Sequence, residues 1–309
     1  MRFSADDLAR LTAADPTRAF GPSPEQQRII EADPAQTMKV TAGAGSGKTT
    51  VISQRVVWLV ANGHVAPEEI LGLTFTRKAV GELGSRIRVL LSRLRHNLGE
   101  GSDLALPGLD YPTVSTYNSY AAAIVGEHGA SIGIEPETVL LDEAGAHAIA
   151  AEVIDAASAE AVPGSYARDT MIADIIAFAG AMNDHGRDVA EVTDYLEACL
   201  RALVSSKGKP VDPSGRRRKL EEKIRTAALA GEYMSAKRRH LAMDFSDQVR
   251  FAQRIVDEVP QALAAEQARW RIVLLDEFQD TSVAQLTLLS TLFSRTAVTA
   301  VGDPRQAIY

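Results

Sequence analysis

Short apolar runs alternate with longer amphipathic ones along the two ends of the chain. Met38–Thr41, Ile70–Phe75, Thr113–Thr116, Arg271–Leu275 and Ala297–Val301 are too short for helices and rich in β-prone residues, which predicts strands. Ile272 to Leu275 is uninterrupted by polar positions, as in a strand buried on both faces. Helical periodicity fills the gaps. Ser23-Pro24 is an N-cap followed by proline at the first helical position. A second helix is predicted over Thr50–Ala61, and Met243–Asp247 opens another that runs to about Val256. Residues 1 to about 21 read as a short helix and a tether. Strand and helix in alternation predict an α/β fold built on a parallel sheet. Between about residue 120 and residue 240 the pattern changes to long Ala-rich helical stretches: Glu143–Ala159, Thr170–Met182, Asp188–Leu203 and Arg216–Ala230. Residues 1–119 and 241–309 are therefore expected to form one domain, with 120–240 a mostly α-helical insertion. Gly/Pro-punctuated loops are expected over His96–Tyr111 and Ser205–Pro210.

Composition narrows the class. The chain has 309 residues, of which 46% are hydrophobic, enough for one large or two modest cores. No apolar run approaches the ~20 residues of a membrane span, and Met1–Asp7 carries acids where a signal peptide would carry an apolar core. The lone cysteine, Cys199, excludes an internal disulfide and points to a reducing, cytoplasmic setting. The net charge is −7, so any contact with nucleic acid must come from local basic groups. Candidates are Arg86, Arg88, Arg93 and Arg95, then Arg216–Lys219, then Lys237–Arg239. Each has two readings, a track for a phosphate backbone or a solvated helix face, the latter for Arg216–Lys219 balanced by Glu221 and Glu222.

The chemistry centres on Ala42-Gly43-Ala44-Gly45-Ser46-Gly47-Lys48-Thr49, between a strand and a helix. Small residues let the backbone wrap a phosphate chain, and the helix N-terminus adds partial positive charge. Lys48 is placed to reach the β- and γ-phosphates and the Thr49 hydroxyl to ligate Mg²⁺, with Thr50 next to them in the loop's helix. The strict pattern has Gly where this chain has Ala42. Asp276 and Glu277 end a buried strand at the sheet's ligand edge, Asp276 to hold Mg²⁺ and Glu277 to orient or deprotonate attacking water. The amide of Gln26 can read an adenine edge, and Gln306 follows the last strand. The hydroxyls and cations of Thr74, Thr76 and Arg77 leave another strand's carboxyl end and suit nucleic-acid phosphates.

Taken in order, Gln26, AGAGSGKT (42–49), TFTRKA (74–79), STYNS (115–119), LLDEFQDT (274–281) and VGDPRQAIY (301–309) resemble the N-terminal half of the UvrD/Rep/PcrA-type superfamily 1 DNA helicases. The stretch WLVANGHVAPEEILGLTFTRKA, with TYNSYA and LLDEFQDTS, is most similar to the actinobacterial AdnB branch of helicase-nuclease motor subunits. The resemblance implies a RecA-like P-loop NTPase domain with an inserted helical subdomain, ATP and Mg²⁺ as cofactors, and coupling of hydrolysis to 3′-to-5′ movement on single-stranded DNA in repair or recombination. It implies Gln26 on adenine, the loop 42–50 on phosphates, Thr49 and Asp276 on Mg²⁺, Glu277 on water and Gln306 on the γ-phosphate. Thr74, Thr76, Arg77, Thr116, Tyr117 and Asn118 would lie along single-stranded or 3′-tailed DNA. Arg77 and Asn118 stand where the family usually has Asn and His.

The family's second motor domain, with the arginines that complete its nucleotide site, would follow Tyr309. The expectation is thus half a motor, which binds ATP·Mg²⁺ weakly, hydrolyses it slowly and does not unwind DNA alone. A trans-acting arginine is worth roughly 10³–10⁵ in rate. The alternative is a truncated, non-catalytic module that holds ATP and single-stranded DNA or a partner. The AdnB-like branch implies a heterodimeric helicase-nuclease partner and no membrane. A GTPase would need Asn-Lys-x-Asp, and none is present.

Overall fold

The computed structural model describes residues 3–15, 17, 20–43, 45–98, 111–162, 167–205 and 213–307. The chain divides into two compact units, one of residues 1–120, 259–281 and 289–309 and one of 121–258 and 282–288.

The first unit begins with α1 (Ala5–Thr12) and α2 (Pro24–Ile30), followed by β1 (Met38–Thr41), α3 (Lys48–Ala61), β2 (Ile70–Thr74), α4 (Arg77–Leu98) and β3 (Thr113–Thr116). Reciprocal capping boxes start the first two helices, Ser4 with Asp7 and Ser23 with Gln26. α5 (Tyr117–His128) leads out of this unit. The second unit holds β4 (Val139–Leu140), α6 (Glu143–Ala156), α7 (Arg168–Asp184), α8 (Val189–Ser205), α9 (Pro213–Arg239), β5 (Ala242–Met243) and α10 (Phe245–Glu258). The chain returns to the first unit with α11 (Pro260–Arg269) and β6 (Ile272–Leu275), and after α12 (Val283–Leu292) ends on β7 (Ala297–Gly302).

The five strands of the first unit form one sheet in the order β1-β7-β6-β2-β3. Every pairing is parallel: Thr41 lies opposite Gly302, Leu275 opposite Ala300, Leu73 opposite Leu275, and Thr74 opposite Thr116. The α/β fold expected from the strand and helix pattern is thus the observed one, consistent with a RecA-like motor domain. The parallel arrangement puts all five carboxyl ends on one edge, where ligands of open α/β sheets bind. Central β6 is buried throughout, as its four apolar residues require. Beneath the sheet edge, α3 packs Ile52, Val56 and Leu59 with Ile70, Leu274 and Val301 into the core.

The second unit has its own core, from Ile149 and Val153 of α6, Ile172 and Ile175 of α7, and Leu229 and Tyr233 of α9. The expected boundary at 240/241 is corrected, because residues 241–258 group with these helices. Two features hold them there. β5 pairs with β4, and Lys237 of α9, almost fully buried, is ion-paired with Asp244 and with Asp247 of α10. Lys237 is therefore a structural cation, not one presented to a phosphate backbone. Arg217 and Arg218 pair one turn on with Glu221 at 2.8 Å and Glu222 at 3.8 Å, as a balanced helix face does. His96–Leu98, expected as loop, complete α4, whose helical period continues through Leu94 to Leu98. Ser205 closes α8, and the other expected loop residues, 99–110 and 206–210, lie outside the described residues. Among the described residues no helix is long and apolar enough to cross a membrane.

Candidate functional site

The glycine-rich loop leaves β1 and turns into α3 through two glycines in the left-handed region, Gly45 at φ +73° and Gly47 at φ +82°. An L-residue is strained there, which explains why glycine occupies both. The Ser46 hydroxyl donates to the Gly43 carbonyl at 2.7 Å and closes the turn. Ala44 lies outside the described residues. Ala42, which replaces the usual first glycine, donates its N–H to the Gly302 carbonyl at 3.1 Å and so ties the loop to the end of β7.

Gln26 reaches the loop from α2. Its amide accepts from Ser23 N–H at 3.0 Å and donates to the Ser46 carbonyl at 3.1 Å. Beside it is a cavity of about 350 Å³, bounded among others by Gln26, Ile29, Val40, Ser46, Lys48 and Val301. Its size is in the range of small-ligand pockets, about 300–1,000 Å³. α2 is held in place from below by Arg55 of α3. Fully buried, that guanidinium donates to the carbonyls of Ile29, Ile30 and Ala32 at 2.9–3.1 Å. Burial lowers its pKa to about 10, opposed by Asp33, so it stays charged at neutral pH.

Lys48 opens α3 and places Nζ 3.1 Å from Oε2 of Glu277. Glu277 follows β6 with φ +50°, one of two described non-glycine residues with positive φ. Such backbone stores of order 1–3 kcal/mol and clusters at functional sites. Asp276, beside it, is 5% exposed. Burial, then the Glu277 charge, raises its pKa above the ordinary aspartate value, while the Glu277 N–H bond and Lys48 oppose the rise. An acid so placed is incompletely compensated, which fits a divalent cation. Thr49, next to Lys48 in the first turn, adds a hydroxyl, and no group of three or more acidic, His or Cys side chains able to hold a metal ion exists among the described residues. One carboxylate, one hydroxyl and ligand or water oxygens match Mg²⁺ better than an all-protein cage. Such a cation, when bound, would neutralise phosphate charge.

The remaining candidates divide. Thr50 accepts a hydrogen bond from Arg86 of α4 at 2.6 Å, so that arginine is directed at the loop helix. Gln306 is exposed at the end of β7 and donates to the Asp303 carboxylate. Thr76 and Arg77 are exposed, Thr76 capping α4 by accepting from Ala79 N–H at 3.1 Å. Thr116 accepts from Ser119 N–H at 3.0 Å in the same manner, and Asn118 is half-buried beside it. Thr74 is fully buried, and its hydroxyl has no partner among the described residues. Tyr117 is buried too. Its hydroxyl donates to the Asp276 carbonyl at 2.9 Å, and burial with three nearby carboxylates raises its pKa. That phenol braces the Asp276–Glu277 turn. The edge therefore gathers Lys48, Asp276, Glu277 and Tyr117, with Gln26 reaching the loop from α2 and Gln306 on the turn after β7, while Thr74 presents no accessible hydroxyl.

Sequence reasoning assigned nothing to Gln279, Asp303 or Arg55, and read Arg86 as a phosphate contact or a solvated helix face rather than as a partner of Thr50. The visible signal for Gln279 was its place two residues after Glu277; the others became apparent only through contacts distant in sequence.

A family model described as the UvrD/REP helicase N-terminal domain matches residues 23–309. The chain is similar to ATP-dependent DNA helicase PcrA of Leuconostoc citreum, 28% identical over 271 residues that cover 87% of this chain and 31% of the relative. It is similar to PcrA of Bacillus subtilis, 26% identical over 299 residues, covering 94% and 33%. It is also similar to ATP-dependent DNA helicase UvrD2 of Mycobacterium tuberculosis, 29% identical over 289 residues, covering 92% and 37%. The chain spans about a third of the length of these relatives.

Proposed function

Because the chain belongs to the UvrD/REP helicase N-terminal domain family, we propose that it is the ATP-binding motor unit of a DNA-dependent ATPase and 3′-to-5′ helicase of DNA repair or recombination. The observation that carries this reading is the meeting of Lys48 and Glu277, 229 residues apart in sequence, at 3.1 Å on the carboxyl edge of a parallel sheet, with Asp276 buried beside them. A nucleotide triphosphate with Mg²⁺ needs these groups: a flexible loop and lysine for phosphates, a carboxylate and hydroxyl for the cation, and an acid to orient water.

In this reading the purine enters the cavity beside Gln26, and the amide exchanges its bond to Ser46 for the base. The triphosphate draws Lys48 from Glu277, freeing the carboxylate to face water. Gln306 meets the γ-phosphate. Thr76, Arg77, Thr116 and Asn118, at the ends of β2 and β3, line the path of single-stranded or 3′-tailed DNA, and Tyr117 and Thr74 support it from beneath. The wording of Trp58–Ala79 favours an AdnB-like subunit with a helicase-nuclease partner. Residues 121–258 and 282–288 form the inserted helical subdomain.

The test is calorimetric titration of the chain with Mg·ATP, with Lys48→Ala as control, followed by turnover with and without single-stranded DNA. Mg²⁺-dependent binding lost in Lys48→Ala is expected. Binding that persists in that variant, or a preference for GTP, would overturn the reading. Binding without turnover would favour the non-catalytic module.

A further inference from the structure

We infer that Gln279 is a positioning residue that couples Glu277 to the Gly302–Gln306 turn, so that the state of the third phosphate and the orientation of the acid are set together. The inference rests on the nucleotide reading above and deepens it.

Gln279 has carboxylates on one side of its amide and a backbone N–H on the other. Nε2 donates to Glu277 Oε2 at 2.7 Å and to Asp280 Oδ2 at 3.1 Å, while Oε1 accepts from Asp303 N–H at 2.9 Å. These partners fix the amide's orientation, since its reverse would set oxygen against two carboxylates and NH₂ against N–H. A leucine keeps the bulk and loses all three bonds. A glutamate keeps the bond to Asp303 and sets a third carboxylate against the other two.

The end of β7 is built to admit this side chain. A Cβ at Gly302 would lie 2.6 Å from Gln279 Oε1 and 3.2 Å from its backbone nitrogen. The glycine therefore permits close approach. Its carbonyl also accepts the Ala42 N–H of the glycine-rich loop. Beyond it, the Asp303 carboxylate accepts from Arg305 N–H at 3.0 Å and from the Gln306 amide. One hydrogen-bonded path thus runs from Lys48 through Glu277, Gln279 and Asp303 to Gln306. In the reading above, the Gln306 end meets a phosphate that only a triphosphate carries, and Lys48 at the other end is shared between the β- and γ-phosphates. A γ-phosphate that takes Lys48 from Glu277 at one end and engages Gln306 at the other moves the two ends of Gln279 together.

The test compares Gln279→Leu, Gln279→Glu and Gly302→Ala with wild type, using Mg·ADP and a non-hydrolysable Mg·ATP analogue as titrants and single-turnover hydrolysis of ATP. Affinity for ADP is expected to stay nearly unchanged in Gln279→Leu. Its preference for triphosphate over diphosphate should fall roughly tenfold, and its single-turnover rate at saturating ATP on the order of 10²-fold. Gln279→Glu should be at least as impaired, and Gly302→Ala should reproduce the loss of preference from the other side of the contact. Equal weakening of ADP and the ATP analogue would show a merely structural role and overturn the inference, as would a wild-type preference and rate in folded Gln279→Leu. If that variant does not fold, Gly302→Ala decides by the same two readouts. Failure of wild type to bind Mg·ATP, or its retention in Lys48→Ala, would instead bring down the nucleotide reading and this inference with it.

Discussion

Nζ of Lys48 is 3.1 Å from Oε2 of Glu277, with the lysine side chain 11% exposed and the carboxylate 37% exposed. The lysine of the glycine-rich loop is thus engaged by an acid of the same chain. In the proposed reading a triphosphate breaks that pair before Lys48 serves it. Glu277→Gln removes the charge that competes for Lys48 and is expected to bind Mg·ATP at least as tightly as wild type. Loss of a general base costs typically 10²–10⁴ in rate, so its single-turnover hydrolysis should fall by that order. Weaker binding in calorimetry, or an unchanged rate, would remove Glu277 from the role.

Asp276 has the opposite relation to stability. Its pKa is raised, chiefly by burial and then by Glu277. The folded chain therefore binds that proton more tightly than the unfolded chain does. Below the ordinary value of 3.8 both states are protonated and nothing is lost. As pH rises from there through the folded pKa, stability falls, and the penalty is complete above it. Asp276→Asn should melt no lower than wild type at pH 7 in the absence of nucleotide, and should lose the Mg²⁺-dependent part of nucleotide binding. Melting curves at pH 7 with and without Mg·ADP check both. A large drop in Tm without ligand would mean the carboxylate contributes net stability.

Gly47 precedes Lys48 at φ +82°, and a Cβ there would meet Gln26 Nε2 at 3.3 Å. Gly47→Ala is expected to destabilise the chain by about 1–2 kcal/mol through backbone strain. It should also push Gln26 off the Ser46 carbonyl. Gln26→Ala loses that contact and its capping bond without the strain. Urea denaturation separates the two, with Gly47→Ala the less stable. Both should lose discrimination between ATP and GTP in competition binding, and retained discrimination in Gln26→Ala would take the base-reading role from it.

The sheet was legible because its strands are short, apolar and separated by helical periods, as Ile272–Leu275 and Ile70–Thr74 illustrate. The meeting of Lys48 with Asp276 and Glu277 on one edge was legible because the acids follow the end of β6 and Lys48 opens the helix after β1, positions that a parallel sheet brings to the same edge. What could not be read were pairings across long stretches of sequence. Nothing local to Tyr117 says that its hydroxyl will brace the Asp276 carbonyl, 159 residues away. Nothing local to Gly302 says that its missing side chain makes room for Gln279. The boundary at 240 was misplaced for a similar reason. The change in composition marked where the Ala-rich helices stop, whereas the unit continues through the buried charges that follow.

Those charges carry the last prediction. Lys237 Nζ bonds to Asp244 and Asp247 and sits 4.8 Å from the centre of the Tyr233 ring. Asn183 of α7 donates to Asp247 Oδ1 at 2.9 Å and accepts from Arg250 at 3.0 Å, so the cluster ties α7, α9 and α10 together. Burial alone would raise the Asp244 pKa. The Lys237 charge, its hydrogen bond and the Ser246 hydroxyl outweigh burial and hold it below 3.8. That carboxylate therefore contributes stability above the ordinary aspartate range, lost as pH falls through its lowered pKa. Lys237→Met leaves two acids without their cation and is expected to cost about 3–5 kcal/mol in urea denaturation. Replacing Asp244 and Asp247 by Asn in the same chain should recover part of the loss, because the unpaired charges go with them. A Lys237→Met variant within about 1 kcal/mol of wild type, the scale of an exposed pair, would show that the cluster is not what binds residues 241–258 to the helices before them.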